Sequence, residues 1–225
     1  MATVKICGLQ TVDMVRQTAE LPVDHIGFVF ARSKRQVTPE QAGELIRKGL
    51  HEAAAASRPK AVGVFVNPTL EELEAVMEHA PLDIIQLHGQ EGPAAFRSVK
   101  ERFPETALFK VVSVSGAATG QVNPGAQLED YRSWIDGVLL DTFDPEYGGG
   151  SGKTFAWNAI PPYLSWCREA KLPLLIAGGL RPDNVAELIR EYGPDGVDVS
   201  SGVETDGVKD LEKIRTFIER VKTIV

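Results

Sequence analysis

The chain has 225 residues, enough to bury one large core or two small ones, which excludes a small scaffold held together by disulfides. Its 24 Lys and Arg against 31 Asp and Glu leave a net charge of −7, so no broad nucleic-acid footprint is expected, although a small basic pocket is compatible with that total. With 43% hydrophobic and 24% charged residues and no apolar run near the ~18 residues needed to cross a bilayer, the expectation is a cytoplasmic globular protein that does not enter a membrane.

Short apolar or β-branched runs recur along the chain. The first, from Thr3, ends in Lys5, Ile6, Cys7 and Gly8; the second, near Asp24, leads to Ser33, Lys34 and Arg35. Thr38 with Gln41 then reads as a helix start, its hydroxyl three residues before a side chain that can reach back to it. After a run of alanines from Ala53 to Ala56, read as a helix end or spacer, the third strand starts near Ala61. A second such helix start, Thr69 with Glu72, opens a stripe of Leu70, Leu73, Val76, Met77 and Ala80. The fourth strand, from Asp83, ends Gln86, Leu87, His88, Gly89; the fifth begins near Ala107, and Ser113 to Gln127 reads as a loop rather than a helix. The sixth runs from Gly137 to Asp141 and Thr142, the seventh from Pro173 to Gly178 and Gly179, and the eighth from Asp195 through Asp198 to Ser200, Ser201 and Gly202. A last stripe, Val208, Leu211, Ile214, Phe217, Ile218 and Val221, closes the chain as a core-facing helix.

The strand runs are nearly all apolar without alternation, which suits strands covered on both faces of a parallel sheet. Eight strand-helix units predict a single (β/α)8 barrel over residues 1–225, compact for that fold; an open doubly wound sheet is the alternative. Cys7 and Cys167 are far apart, and His25, His51, His79 and His88 lack metal-ligand spacing, so neither a disulfide nor a metal site is expected.

In such barrels reactive groups project from the carboxyl ends of the strands. Cys7 in that position reads either as a small core residue or as a reactive thiol. Asp141, after an apolar run, reads either as a cap for the following turn or as a carboxyl able to donate a proton. Arg35 is either solvated or a planar clamp for a carboxylate. The small residues Gly178, Gly179, Ser200, Ser201 and Gly202 allow backbone N–H groups to approach an anion, as in the phosphate position of a barrel. The stretch from Tyr147 to Thr154 misses a nucleotide P-loop by one glycine and reads either as a loop that folds over a ligand, with Lys153 near it, or as a plain flexible turn.

The motifs VKICGL, GFVFARSKR, VGVFVN, QLHG, LLDT, GGSGKTF, AGGLRPDNV and VDVSSGVE, in that order along the whole chain, resemble phosphoribosylanthranilate isomerase. The resemblance implies a (β/α)8 barrel that converts N-(5-phosphoribosyl)anthranilate to 1-(2-carboxyphenylamino)-1-deoxyribulose 5-phosphate, an Amadori rearrangement in tryptophan biosynthesis that uses no cofactor and no metal. It implies Cys7 as general base, Asp141 as general acid and Arg35 as the contact for the anthranilate carboxylate. Gly178, Gly179, Asp198, Ser200, Ser201 and Gly202 would hold the phosphosugar. The partner is then a small-molecule substrate and the assembly a monomer or homodimer. Thr154, Phe155 and Ala156 before Trp157, and the extra glycine in Gly148 to Gly150, depart from the family pattern in the loop after strand six.

These roles set opposite demands. An ordinary Asp, with a pKa of ~3.9, is protonated about once in a thousand at neutral pH, so a donor there needs its pKa raised. An ordinary thiol, near ~8.5, is only a few per cent thiolate, so a base there needs cations nearby, and Lys5, two residues before Cys7, shares its face of the strand. Another phosphosugar enzyme, such as a ribulose-phosphate epimerase, would need a His and Asp metal cluster; a phosphate-binding barrel without turnover is a third reading.

Overall fold

The computed structural model describes residues 1–53, 58–114, 123–142 and 157–224. Eight strands close into a parallel barrel in chain order: β1 Thr3–Cys7, β2 His25–Val29, β3 Lys60–Phe65, β4 Ile84–Leu87, β5 Ala107–Val114, β6 Gly137–Thr142, β7 Leu174–Ile176 and β8 Gly196–Val199. The seam closes with Lys5 opposite Asp198 and Ile6 opposite Val199. The closed barrel, not the open sheet, is therefore the architecture.

Side chains alternate between the two sides of each strand. One set, Val62, Ile84, Phe109, Val111, Leu139, Leu175 and Ala177, fills the barrel; the other, including Val4, Ile6, Ile26, Phe28, Leu140 and Val197, packs beneath the helices. Both sides are apolar, which is why the strands show no alternation in sequence. Buried polar exceptions on the inner parity are His25 at the amino-terminal end and Lys5, Gln86, Asp141 and Asp198 above it.

The helices are α1 Val12–Ala19, α2 Pro39–Glu44, α3 Leu70–His79, α4 Pro93–Arg102, α5 Pro124–Leu128, α6 Ile160–Ala170, α7 Val185–Tyr192 and α8 Leu211–Lys222. Both expected helix starts form reciprocal caps, Thr38 with Gln41 and Thr69 with Glu72. After α2 the chain widens into a π-type turn, Leu45–Leu50, that packs on α1. Two expectations need correction. The stretch from Ser113 to Gln127 is not wholly loop: Ser113 and Val114 extend β5, and Asn123 accepts a hydrogen bond from the Ala126 N–H and caps a short helix whose first residue is Pro124. Val208 does not join the last helical stripe; it lies 69% exposed in a hairpin ahead of α8. The alanine run lies largely outside the described residues.

One device recurs at the amino-terminal rim. The aspartate before each even-numbered strand accepts a hydrogen bond from the backbone of the preceding odd-numbered strand. Asp24 takes the Val4 N–H at 2.7 Å, Asp83 that of Ala61 at 2.7 Å, Asp136 that of Leu108 at 2.8 Å and Asp195 that of Leu174 at 2.9 Å. Buried backbone donors at the strand starts are satisfied in this way. Each of these aspartates stands one residue before its strand, in keeping with strands expected to begin near Asp24, Asp83 and Asp195.

Candidate active site

At the carboxyl end of the barrel lies a cavity of about 400 Å³ bordered by Cys7, Arg35, Gln86, His88, Asp141, Asp198 and Ser200. A recess of about 40 Å³ adjoins it, lined by Gly178, Gly179, Ser201 and Gly202 and sharing Asp141, Asp198 and Ser200. All nine residues singled out in the sequence thus border one continuous region, although they come from five of the eight strand-loop units.

Cys7 ends β1 with its thiol against β2, where Gly27 makes room: a Cβ at Gly27 would stand 2.8 Å from Cys7 Sγ. Burial pushes the thiol pKa up, and the positive charges of Lys5 and Lys209 only partly oppose it. The expected cation is therefore in place, yet desolvation outweighs it, and Cys7 is held toward the thiol rather than enriched as thiolate. Lys5 itself is fully buried; burial would lower its pKa, but Asp198, 3.0 Å away, and the Cys7 sulfur outweigh that and hold it above its ordinary value.

Asp141 ends the apolar run of β6 and is 5% exposed. His88 Nε2 lies 3.4 Å from its Oδ2. Burial, with the Lys5 charge adding to it, lowers the His88 pKa to about 4, so the imidazole is neutral at pH 7 and the contact is not an ion pair.

Arg35 does not stand free. Its Nε donates to Glu204 Oε1 at 2.6 Å and its Nη2 to Oε2 at 3.0 Å, a two-pronged clamp by a side chain only 6% exposed. Lys209 Nζ donates to the same Oε1 at 2.8 Å and to the Ser200 carbonyl at 2.7 Å, and the Ser200 hydroxyl donates to the Cys7 carbonyl at 3.1 Å. Glu204 and Lys209 face each other across a small hairpin, β9 Glu204–Thr205 and β10 Val208–Lys209. Its turn residues Asp206 and Gly207 have φ of 52° and 80°, the paired positive values of the tightest hairpin turn. Burial would raise the Glu204 pKa, but hydrogen bonds and charges from Arg35 and Lys209 hold it at about 2.

In the recess Gly178 and Gly179 adopt φ of 83° and 63°, and the Gly179 carbonyl accepts a hydrogen bond from Asn184 Nδ2 at 3.1 Å. Gly202 is packed so tightly on the Leu180 carbonyl that no side chain fits. Small residues here expose backbone where an anion would sit. A family model described as N-(5'phosphoribosyl)anthranilate (PRA) isomerase matches residues 4–220. The chain belongs to the phosphoribosylanthranilate isomerase family. It is 46% identical over 222 residues to the N-(5'-phosphoribosyl)anthranilate isomerase of Brevibacillus brevis, a match covering 99% of this chain and 94% of that one. The crystal structure of phosphoribosyl anthranilate isomerase from Thermotoga maritima superposes with a TM-score of 0.80 at 37% identity, covering 100% of both chains. A further structure of phosphoribosyl anthranilate isomerase, in complex with reduced 1-(o-carboxyphenylamino)-1-deoxyribulose 5-phosphate, superposes with a TM-score of 0.76 at 34% identity and covers 100% of both chains. The chain is accordingly an isomerase of tryptophan biosynthesis.

For this phosphoribosylanthranilate isomerase family member, sequence reasoning missed three residues that the fold brings to the site. His88 sat in the quoted QLHG motif without a role, and it meets Asp141. Glu204 closed the VDVSSGVE motif, and Lys209 was passed over. The signal for the last two was Asp206 and Gly207 between Thr205 and Val208, a two-residue hairpin turn that places Glu204 opposite Lys209. The glycine-rich stretch from Tyr147 to Thr154, with Lys153 and the departures at Ala156 and Gly148 to Gly150, lies outside the described residues. Among the described residues no group of three or more His, Cys, Asp and Glu side chains is arranged to hold a metal ion, and no helix is long and apolar enough to cross a membrane.

Proposed function

We propose that the chain converts N-(5-phosphoribosyl)anthranilate to 1-(2-carboxyphenylamino)-1-deoxyribulose 5-phosphate by an Amadori rearrangement, with Asp141 as general acid and Cys7 as general base. One observation carries this reading: a thiol from β1 and a carboxyl from β6 border the same cavity, whose volume of about 400 Å³ suits a small ligand. Asp141 gives its proton to the furanose ring oxygen as the anthranilate nitrogen lone pair forms the iminium and the C1–O bond breaks. The Cys7 thiolate then removes the C2 proton, its electron pair passes toward the iminium nitrogen, and the resulting enolamine gains a proton at C1 as its C2 hydroxyl becomes the ketone. Burial makes the Cys7 thiol resist ionisation. An iminium beside it supplies the missing positive charge at the step that needs the thiolate.

Gly178, Gly179, Ser201 and Gly202 take the phosphate, Ser200 and Asp198 line the passage between recess and cavity, and Arg35 meets the anthranilate carboxylate. We place this work on a small phosphosugar in the cytoplasm, a reducing compartment that would keep Cys7 and Cys167 as the free thiols they are here. A fluorescence assay following consumption of freshly made phosphoribosylanthranilate tests the reading. Turnover that disappears in both Cys7→Ala and Asp141→Asn, while each variant still binds a product analogue by calorimetry, is the expected result; near-normal kcat in either variant removes that residue from its role.

A further inference from the structure

Glu204 occupies one edge of the Arg35 guanidinium, the edge formed by Nε and Nη2. A guanidinium has a second edge, formed by Nη1 and the outer N–H of Nη2, with the same spacing of two parallel donors. Among the described residues no hydrogen bond reaches Nη1, and Arg35 borders the cavity. We propose that Glu204 is a positioning residue that holds the Arg35 guanidinium with its terminal edge presented to the carboxylate of the bound substrate, an inference that rests on the reading of Arg35 as the carboxylate contact.

Arg35 and Lys209 hold the Glu204 pKa at about 2, so the clamping group carries its charge at neutral pH. Its surroundings also argue against an incidental ion pair. Lys209, only 6% exposed, shares the Glu204 carboxylate with Arg35, and the exposed Lys34 lies 3.7 Å from Oε2, so three cations surround one anion and the cluster keeps a net positive charge on the side where an anionic ring substituent would bind. Lys209 also reaches the Ser200 carbonyl and hydroxyl, and Ser200 borders both the cavity and the phosphate recess. One carboxylate, bonded to both Arg35 and Lys209, thus links the two ends of the site. A free arginine side chain would have to give up rotamer entropy on binding; one clamped beforehand does not.

Calorimetric titration separates positioning from structural support. Two ligands are used: the reduced product analogue carrying the ring carboxylate, and its anilino counterpart lacking that group. Arg35→Met is the reference and should lose affinity for the first ligand only. Glu204→Gln should weaken the carboxylate ligand about tenfold and leave the anilino ligand within about twofold, with KM rising and kcat nearly held. Glu204→Asp keeps the charge but draws it back by one methylene; it should show the same selective loss, and it serves as the variant should the glutamine form not fold. Equal losses for both ligands, no loss, or tighter binding of the carboxylate ligand in the Glu204 variants overturns the inference. A selective Arg35→Met with unselective Glu204 variants overturns it alone, whereas an unselective Arg35→Met removes the carboxylate reading of Arg35 and this inference together.

Discussion

Lys5 and Asp198 meet across the seam of the barrel, Nζ 3.0 Å from Oδ2, with the lysine wholly buried one inward position below Cys7. A buried ion pair contributes little net stability, and removing one partner strands the other charge in a medium that solvates it poorly. The pair is therefore better explained by what its cation does for the thiol above it.

Lys5→Met removes the cation that most opposes the effect of burial on Cys7. The thiol pKa should rise further, so the pH profile of iodoacetamide alkylation, measured with Cys167→Ser as background, should move to higher pH. Stability should fall by about 3–5 kcal/mol as Asp198 loses its partner. An alkylation profile that stays in place, or moves to lower pH, removes Lys5 from control of the thiol.

Gly27→Ala tests how closely the thiol is placed. The new Cβ would stand 2.8 Å from Sγ and 3.2 Å from the Cys7 Cα, so the sulfur and its backbone must both give way. A displacement of about 1 Å in a reacting group costs on the order of a hundredfold in kcat, with KM changing much less, and overpacking costs about 1–3 kcal/mol in stability. Steady-state kinetics and denaturant unfolding on the same preparation read both. Unchanged kcat would mean that the thiol position is not critical.

The aspartate caps at the opposite rim give the contrasting case. Asp83→Ala leaves the Ala61 N–H without its acceptor and frees Arg58, whose Nη2 lies 3.2 Å from Asp83 Oδ1. The expected loss is about 1–3 kcal/mol of stability with kcat and KM unchanged, because this end of the barrel carries no chemistry. A fall in kcat in fully folded protein would contradict that division between the two ends.

These contrasts explain what the sequence could and could not reveal. The strand order and the barrel followed from eight apolar runs, because a strand buried on both sides needs no alternation and so stands out as a block. Cys7 and Asp141 stood out as candidates because each ends such a block, but the residues alone left each a structural alternative, core packing for Cys7 and turn capping for Asp141, and only the family resemblance assigned them roles. Glu204 and Lys209 were not, because their partnership depends on a hairpin of two-residue strands, and Val208 between them matched the helical stripe that follows. The capping role of Asp24, Asp83 and Asp195 was not legible, because each is adjacent in sequence to the strand it precedes while the backbone it serves belongs to the strand before. The balance of forces on Cys7 was also beyond sequence: the spacing to Lys5 shows a cation nearby but not that burial outweighs it.

The Glu204 cluster makes an acid-stability prediction that needs no substrate. The folded protein holds this carboxyl at about 2 against an ordinary 4.5, so it binds its proton less readily folded than unfolded. A depressed carboxyl contributes stability that is fully present above its unfolded value and is lost as pH falls through its folded one. Compared with Glu204→Gln, the native chain should therefore keep a constant advantage in unfolding free energy above about pH 5, and that advantage should shrink from about pH 4.5 and be largely gone near pH 2. Urea unfolding of both proteins at several pH values checks it. An advantage that does not vary with pH would show that Glu204 stabilises the hairpin by packing and hydrogen-bond shape, with its charge counting for little against the cations of Arg35 and Lys209.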